Sequence, residues 1–508
     1  MPNFAAVDVG TNAIRMQISR LEDGSRPASV LFRREPIRLG RGVFESGGLD
    51  SREFDSAIRV LTEFAETIRE HDVAAVRAVA TSAVREAENG DFFCYRAQKL
   101  SGLALSPISG SEELRLVQVA VERTWPDCPS PLLLLDLGGG TLEMAVVSRG
   151  QIHGCTSLPL GGVRMARQFG ADRALSDGTL EVLHRFVAVE LEHAWERIGD
   201  ARVEAVAAVG GIMTILRDMQ AVGERPGEAP IAVTAGQLEE LVAGMAGLDA
   251  AGRAEKFGLG LDRADIALPA GVVVSEVLRH VGKDKLYAPE VSLREGILFE
   301  LADEYFGVRE VADTEESIVD AARRLGERYR YDHEHGERVA ELAAVLFDQL
   351  RPVHRMPDRM RGVLRAAAVL HDMGSHVDRA SHHRHGAWLV RNSEMPGVSD
   401  ADKTLIALII RYHRKRSPSD GDPIMKNLSI ELRDRVRRMT AIHRIADCLD
   451  REHRGRVENV HCRLEREGVV ICGESDAPCE EEKAAFPDRS AMFVEVFKRP
   501  IRLELRVK

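Results

Sequence analysis

Two stretches 128 residues apart, 4–20 (FAAVDVGTNAIRMQISR) and 132–143 (LLLLDLGGGTLE), repeat one order of residue types, and that repetition constrains the fold more than any other feature. Each opens on a short apolar run that ends in an aspartate, Asp8 or Asp136. Glycine follows, then a hydroxyl residue, then a second apolar stretch. The pattern reads as strand, tight turn, strand. Glycine lets such a turn adopt φ > 0 and lets its backbone approach a ligand with no Cβ in the way. The turns Gly10-Thr11-Asn12 and Gly138-Gly139-Gly140-Thr141 would present N–H groups suited to phosphate oxygens. Asp136 and Glu143 flank the second turn, where a divalent cation would shield phosphate charge. Either turn alone is an ordinary hairpin. As a pair they predict two turns that face across a cleft and clamp a phosphate chain, with Asp8 counted among the phosphate-binding residues of the first. A third glycine turn, Gly210-Gly211 in AVGGIMTIL, opens a helix and is a further phosphate-facing candidate.

The rest of the chain supplies partners for that clamp. VAAVRAVATSAVREA (73–87) reads as a strand running into a helix start, which places Arg85 just past a strand end. Its planar guanidinium suits phosphate, and a surface helix arginine is the simpler reading of that segment alone. In SPISGSEELRL, Ser109 or Ser111 caps a helix whose first turn holds Glu112 and Glu113. Complementing the helix dipole explains both glutamates. The sharper expectation is that one of them is a general base in the cleft.

The chain has 508 residues, enough at ~150 residues per domain for three or four domains. No apolar run of ~18 residues predicts a membrane span, and MPNFAAVDVG lacks the pattern of a secretory signal. Seven scattered cysteines, an odd number, suit reduced thiols in the cytoplasm. A net charge of −11 argues against a nucleic-acid partner while leaving room for an anionic substrate held by local basic groups. The densest basic run, RYHRKRSP, holds Arg411, Arg414, Lys415 and Arg416. A guide for a polyanion leading toward the cleft and a solvated face are both open readings of it.

Around 307–314 the pattern breaks. Residues 315–455 are helical and histidine-rich, and His335, His371-Asp372 and Asp447 follow the order H…HD…D, a set able to bind a divalent ion. The preferred reading is a fold without activity of its own. His376, His382, His383 and His385 read as surface loop, with metal or phosphate binding as the alternative. From 456 onward, HCRLEREGVVIC and RSAMFVEVFKRPIRLELRV alternate at period two, joined by a charged loop (474–488), so a small β tail is expected.

DVGTNAIRM, ATSAVREA, ISGSEELRL, DLGGGTLE, AVGGIMTIL and LREGIL occur in the order and spacing of one family. The chain resembles the exopolyphosphatase / guanosine-pentaphosphate phosphohydrolase family of the actin-like ATPase superfamily over roughly residues 1–305. The helical part resembles the HD-type domain of longer members. The resemblance implies an α/β fold with two ribonuclease-H-like (actin-like) lobes around a cleft at 1–124 and 125–306. An all-α HD-type domain at 314–455 and a small β-rich domain at 456–508 would follow. It implies Glu113 as the catalytic base, Arg85 as a phosphate ligand, and Asp136 and Glu143 as positioners of Mg2+ and water. Ala13 stands where serine is usual, Thr141 replaces serine and keeps the hydroxyl, and Leu142 stands where threonine is common. Inorganic polyphosphate and guanosine penta- or tetraphosphate are the implied partners, in a homodimer. A nucleotide sensor without turnover and an actin-like kinase are the competing readings. Glu113 and Asp136 argue against the first, and the absence of an evident acceptor site argues against the second.

Overall fold

The structure is a computed structural model and describes all residues except 23–25, 199–201, 221–229, 308–310, 415 and 427; of 217–220 and 311–314 it describes the backbone alone. The chain divides into two compact units, Met1–Arg309 and Glu310–Lys508.

The first unit holds two sheets. One contains β1 (Asn3–Val9), β2 (Ile14–Arg20), β3 (Ala28–Glu35), β4 (Val73–Ala80) and β5 (Leu105–Pro107), in the order β3-β2-β1-β4-β5. The other contains β6 (Leu132–Leu137), β7 (Leu142–Ser148), β8 (Gln151–Leu158), β9 (Ala205–Gly210), β10 (Ile231–Thr234) and β11 (Lys285–Ala288), in the order β10-β11-β9-β6-β7-β8. Without the antiparallel edge strand β10, the second sheet repeats the first. In both, an antiparallel three-strand meander is extended by parallel strands. This is the ribonuclease-H-like plan, present twice, and the fold is mixed α/β of the actin-like kind.

The four consecutive leucines of β6 show how the sequence builds this arrangement. Successive strand residues point to opposite faces, and a central strand is covered on both. Leu133 and Leu135 enter an outer core with the helices Asp177–Ile198 and Leu261–Val281. Leu132 and Leu134 enter a middle core between the two sheets. In β1, Val7 and Val9 face the outer side and Phe4 and Ala6 the middle. By the same parity Asp8 and Asp136 each end a row of middle-facing residues, and so does Glu143, which precedes Ala145 and Val147 in β7. The alternation therefore brings three carboxylates to one end of the middle layer before any loop contributes.

Two helices fill that layer. Gly110–Thr124 packs on β6, β7 and β8, and Leu293–Phe306 packs on β1 and β4. Each thus covers the sheet of the other half, so the chain positions 124 and 125 do not separate two independent cores. Glu112 fixes the two helices together. It bonds Arg77 (2.7 Å) and Arg115 (2.8 Å), and both arginines also reach Glu300 (2.8 and 2.6 Å). Removing one partner from such a buried cluster typically costs ~3–5 kcal/mol.

The second unit is helical from Val311 to Cys448 and ends in a three-stranded sheet, β12 (Val457–Leu464), β13 (Val469–Ser475) and β14 (Ile501–Val507). These strands are the expected β tail; the loop expected at 474–488 and the period-two reading of RSAMFVEVF are corrected, because residues 480–497 form a helix between β13 and β14. Phe486, Phe493 and Phe497 recur at helical spacing, and Phe486 and Phe493 are buried in the core of the preceding helices together with Val457, Val469 and Ile471. The tail shares that core instead of forming one of its own. Among the described residues, no helix is long and apolar enough to cross a membrane.

Candidate active site

A cavity of about 440 Å³ opens where the two hairpin turns meet. Gly10, Thr11 and Asn12 line it from one side, and Gly138, Gly139, Gly210 and Gly211 from the other. The turns match in register as well as in sequence: Asp8 is paired with Arg15 across the first hairpin and Asp136 with Glu143 across the second. The N–H groups of Gly10 and Gly138 are used in closing their own turns, on the carbonyls of Ala13 (3.1 Å) and Thr141 (3.0 Å). Among the described residues, the N–H groups of Thr11, Asn12, Gly139 and Gly140 donate to no backbone carbonyl. The turns also touch. A Cβ on Gly139 would stand 2.9 Å from the Thr11 Cβ, so a glycine is required for their approach. Gly210 has φ +115° and faces the Leu137 carbonyl, another position closed to side chains.

Glu113 reaches the cavity from the first turn of the Gly110–Thr124 helix, whose start is fixed by the Glu112 N–H donating to Ser109 Oγ (3.2 Å). The two adjacent glutamates separate by function: Glu112 joins the arginine cluster described above, and Glu113 faces the cavity. Arg85 Nη1 donates to Glu113 (2.6 Å) and to the Ile108 carbonyl (2.6 Å), and its other terminal nitrogen lies 4.0 Å from Glu143. Glu143 also accepts from Ser157 Oγ (2.9 Å). Four of the expected residues, Arg85, Gly140, Thr141 and Glu143, do not themselves line this cavity. Arg85 and Glu143 act on Glu113, and Gly140 packs against Ser82 and Phe44.

Burial dominates the electrostatics. It pushes the Glu113 carboxyl well above the ordinary range, with Glu143 adding repulsion and Arg85 opposing both. Asp136 is pushed up to about 7 by burial, then by Glu143 and Asp8, against Arg15 and Arg294. Glu143 is raised by burial and held down by hydrogen bonds from Thr141 and Ser157 and by Arg85. These carboxylates resist ionising together, and Asp136 and Glu143 offer the hard oxygen donors that a divalent cation such as Mg2+ takes.

Asp8 differs from the phosphate ligand expected of it. Its carboxylate pairs with Arg15 (3.2 Å) and Arg294 (3.7 Å), so it orients two cations and does not itself meet an anion. Sequence reasoning did not single out either arginine, although they lie in the DVGTNAIRM and LREGIL segments. Arg294 also stacks on Phe32 (5.2 Å), and Arg34 and Arg263 extend the basic lining. Asn12 is anchored by donating to the Asp262 carbonyl (2.8 Å) and accepting from Arg38 (3.1 Å), while Thr11 and Ser82 share a hydroxyl hydrogen bond (2.9 Å).

In the second unit, ligand atoms of His335, His371 and Asp447 lie within 4.8 Å of one another. Asp372 groups with His382 and His413 within the same limit. The surface-loop reading of His382 is corrected: it begins the helix His382–Asn392 and is buried. Asp450 accepts from His335 and was not anticipated. The basic run is divided by burial. Tyr412 and His413 point inward, while Arg411, Arg414 and Arg416 line a cavity of about 260 Å³ with His383 and Arg384. Lys415 lies outside the described residues.

The Ppx/GppA phosphatase family matches residues 17–305, and the family's domain III matches residues 319–472. The Aquifex aeolicus Ppx/GppA family member is 25% identical over 60% of this chain and 98% of its own, with a TM-score of 0.52. An exopolyphosphatase from Cytophaga hutchinsonii shares the fold at 23% identity over 59% of this chain and 98% of its own, with a TM-score of 0.55. With its duplicated sheets, facing glycine turns and carboxylate-lined cavity, the chain belongs to the Ppx/GppA phosphatase family and is a phosphoanhydride hydrolase.

Proposed function

We propose that the chain is an exopolyphosphatase that hydrolyses the terminal phosphoanhydride of inorganic polyphosphate. The observation that carries this reading is Glu113, buried with a raised carboxyl pKa at a cavity bounded by two phosphate-sized turns. Burial makes the Glu113 carboxylate a stronger base than an exposed one, the direction that taking a proton from water calls for. The free N–H groups of Thr11, Asn12 and Gly139, with Arg15 and Arg294, hold the non-terminal phosphates. Glu113 accepts the proton of the attacking water; the water oxygen bonds to the terminal phosphorus as its bond to the bridging oxygen breaks. Arg85 orients Glu113 and, with it, places positive charge beside the terminal group. Asp136 and Glu143 would hold Mg2+, which when bound supplies charge neutralisation to the phosphates.

Guanosine pentaphosphate is the second reading. Ile212, Met213, Ile215, Ile266 and Ala270 give the Gly210-Gly211 end of the cavity an apolar wall on which a base could rest. Incubating the purified protein with long-chain polyphosphate, guanosine pentaphosphate and ATP, with and without Mg2+, separates these. Mg2+-dependent orthophosphate release fastest from polyphosphate is expected. Faster release from the guanosine compound transfers the assignment to it, and binding of either without release points to a sensor.

The same reading makes the protein a cytoplasmic homodimer, testable by sedimentation. It takes 314–455 as an HD-type domain holding one divalent ion on His335, His371, Asp372 and Asp447, which elemental analysis tests. Arg411, Arg414, Lys415 and Arg416 bind polyanion in this scheme. Charge reversal at Arg414 and Arg416 then raises KM for long chains far more than for short ones; equal effects on both remove that role.

A further inference from the structure

Two adjoining hollows on the surface of the helical unit differ in chemistry. The first, of about 330 Å³, involves the helices His382–Asn392 and Asp400–Tyr412, and Ala387, Trp388, Ala407, Leu408 and Ile424 give it an apolar lining. The second, of about 260 Å³, is lined by His383, Arg384, Arg411, Arg414 and Arg416, with Asp422 as its acid. Arg384 and Arg411 belong to both linings, so the hollows meet there. Arg391 adds a further cation to the first. Neither hollow is lined by His335, His371, Asp372, His382, His413 or Asp447. His382 lies on the buried side of its helix, whereas Arg384, Trp388 and Arg391, spaced four and three residues apart, share the exposed side.

The side chains here are left open where others in the molecule are satisfied. Elsewhere in the unit Arg323, Arg351, Arg361 and Arg365 are tied to carboxylates. Among the described residues, Arg384, Arg391, Arg411, Arg414 and Arg416 form no salt bridge. Asp422 stays ionised, because hydrogen bonds from the Ile424 N–H (2.9 Å) and the Tyr412 hydroxyl (2.8 Å), with Arg411 and Arg416, outweigh its burial. One negative charge thus faces five positive ones in a chain whose net charge is −11. The segment bearing Arg414 and Arg416 is held in place by Arg444, which donates to the Tyr412 (2.6 Å) and Arg416 (2.7 Å) carbonyls. Of the three tryptophans, Trp125 and Trp195 are half-buried and pack on Tyr287 and His280. Trp388 is 63% exposed, and among the described residues no aromatic ring packs on it.

We propose that this groove binds a nucleoside di- or triphosphate, its base stacked on Trp388 in the apolar hollow and its phosphates held by Arg384, Arg411, Arg414 and Arg416. An exposed indole offers a face to any base, and guanidinium forks suit phosphate oxygens. An inorganic phosphate chain would use the basic hollow and leave the indole unused. The basic half rests on the polyanion reading of Arg411, Arg414 and Arg416 given above; the base-binding half is new. The site lies wholly within Glu310–Lys508 and needs no metal ion.

The test titrates the full chain, in chelator to stop turnover, with GTP, ATP and inorganic tripolyphosphate, read by calorimetry and tryptophan fluorescence. The nucleotides should bind at least fivefold more tightly than tripolyphosphate, the low end of the roughly 5- to 100-fold that base stacking on an aromatic ring contributes, and should quench tryptophan emission. Trp388→Ala should remove the quench and lower nucleotide affinity to that of tripolyphosphate, whose own binding stays unchanged. Trp388→Tyr, which keeps an aromatic face, should retain the preference. Arg411→Gln should weaken both ligands about tenfold or more, as for loss of a charge-assisted hydrogen bond, and decides the matter if Trp388→Ala does not fold by circular dichroism. Nucleotide affinity unchanged in either variant places the nucleotide elsewhere in the chain and overturns the proposal. Tripolyphosphate bound as tightly as nucleotide overturns it and leaves the polyanion role standing. No binding of either ligand overturns both.

Discussion

The two hairpins are built alike and charged differently. In each, an aspartate ends a strand and pairs across the turn with the residue seven positions later. In the first hairpin that residue is Arg15, and Arg294 comes close to the same carboxylate. In the second it is Glu143, and the nearest compensation is Arg85, 4.0 Å away and bonded more closely to Glu113. One residue type at one register position makes the first hairpin's aspartate half of an ion pair and sets the second's opposite another carboxylate. The backbone geometry repeats, and the charge it carries does not.

The largest expected effect isolates the carboxylate side. Glu113→Gln should lower kcat at least 100-fold, within the range of ~10²–10⁴ usual for a general base, while polyphosphate still binds. A loss under tenfold removes Glu113 from that role. Next, the two hairpins should respond to different variables. Glu143→Gln should raise the Mg2+ concentration needed for half-maximal activity by about tenfold or more. Arg15→Gln should leave that requirement alone and raise KM by about 10- to 100-fold, as expected for losing a charge-assisted hydrogen bond worth ~1.5–3 kcal/mol. If both variants change the same parameter, the division of labour between the hairpins is wrong.

The hairpins should also differ in stability. A carboxyl raised by folding contributes stability below its unfolded pKa and loses it as pH rises through the folded value. For Asp136 that loss runs from about pH 4 to about pH 8, given a folded value of about 7. With divalent metal chelated, Asp136→Asn should therefore raise Tm by a few degrees near pH 8 and leave it nearly unchanged near pH 4. Asp8→Asn should lower Tm near pH 8, because it leaves Arg15 and Arg294 facing one another. Shifts of the same sign would erase the contrast. The smallest effect concerns pH. Arg85→Ala removes the cation that opposes burial at Glu113, so the acid limb of the residual kcat profile should move to higher pH. A downward shift would show that Arg85 does not set the charge of the base.

The matching turns, Asp136, Glu143 and the Glu112–Glu113 pair were legible because each sits at a fixed offset from a glycine turn or a helix cap. Local patterns could not tell Glu112 from Glu113. They are adjacent on one helix, and only the partners brought by distant segments, Arg77 and Glu300 for one and Arg85 for the other, separate them. Arg294 was hidden for the same reason, since its partner Asp8 is near the other end of the unit. His382 and His413 were missed because each lies within a run of polar residues, where composition suggests exposure. The helix at 480–497 was read as loop and strand because Pro487 interrupts it and Phe493–Phe497 alternates locally, although its phenylalanines keep helical spacing.

The central claim is that water, activated in the cavity between the two turns, takes the terminal phosphate of polyphosphate. Its most direct test is hydrolysis in ¹⁸O-enriched water with Mg2+, followed by mass analysis of the released phosphate and of the remaining chain. The account predicts one solvent oxygen in each orthophosphate released and none in the shortened chain at early times. Label in the chain terminus, or phosphate transferred to an acceptor without solvent oxygen, would contradict it.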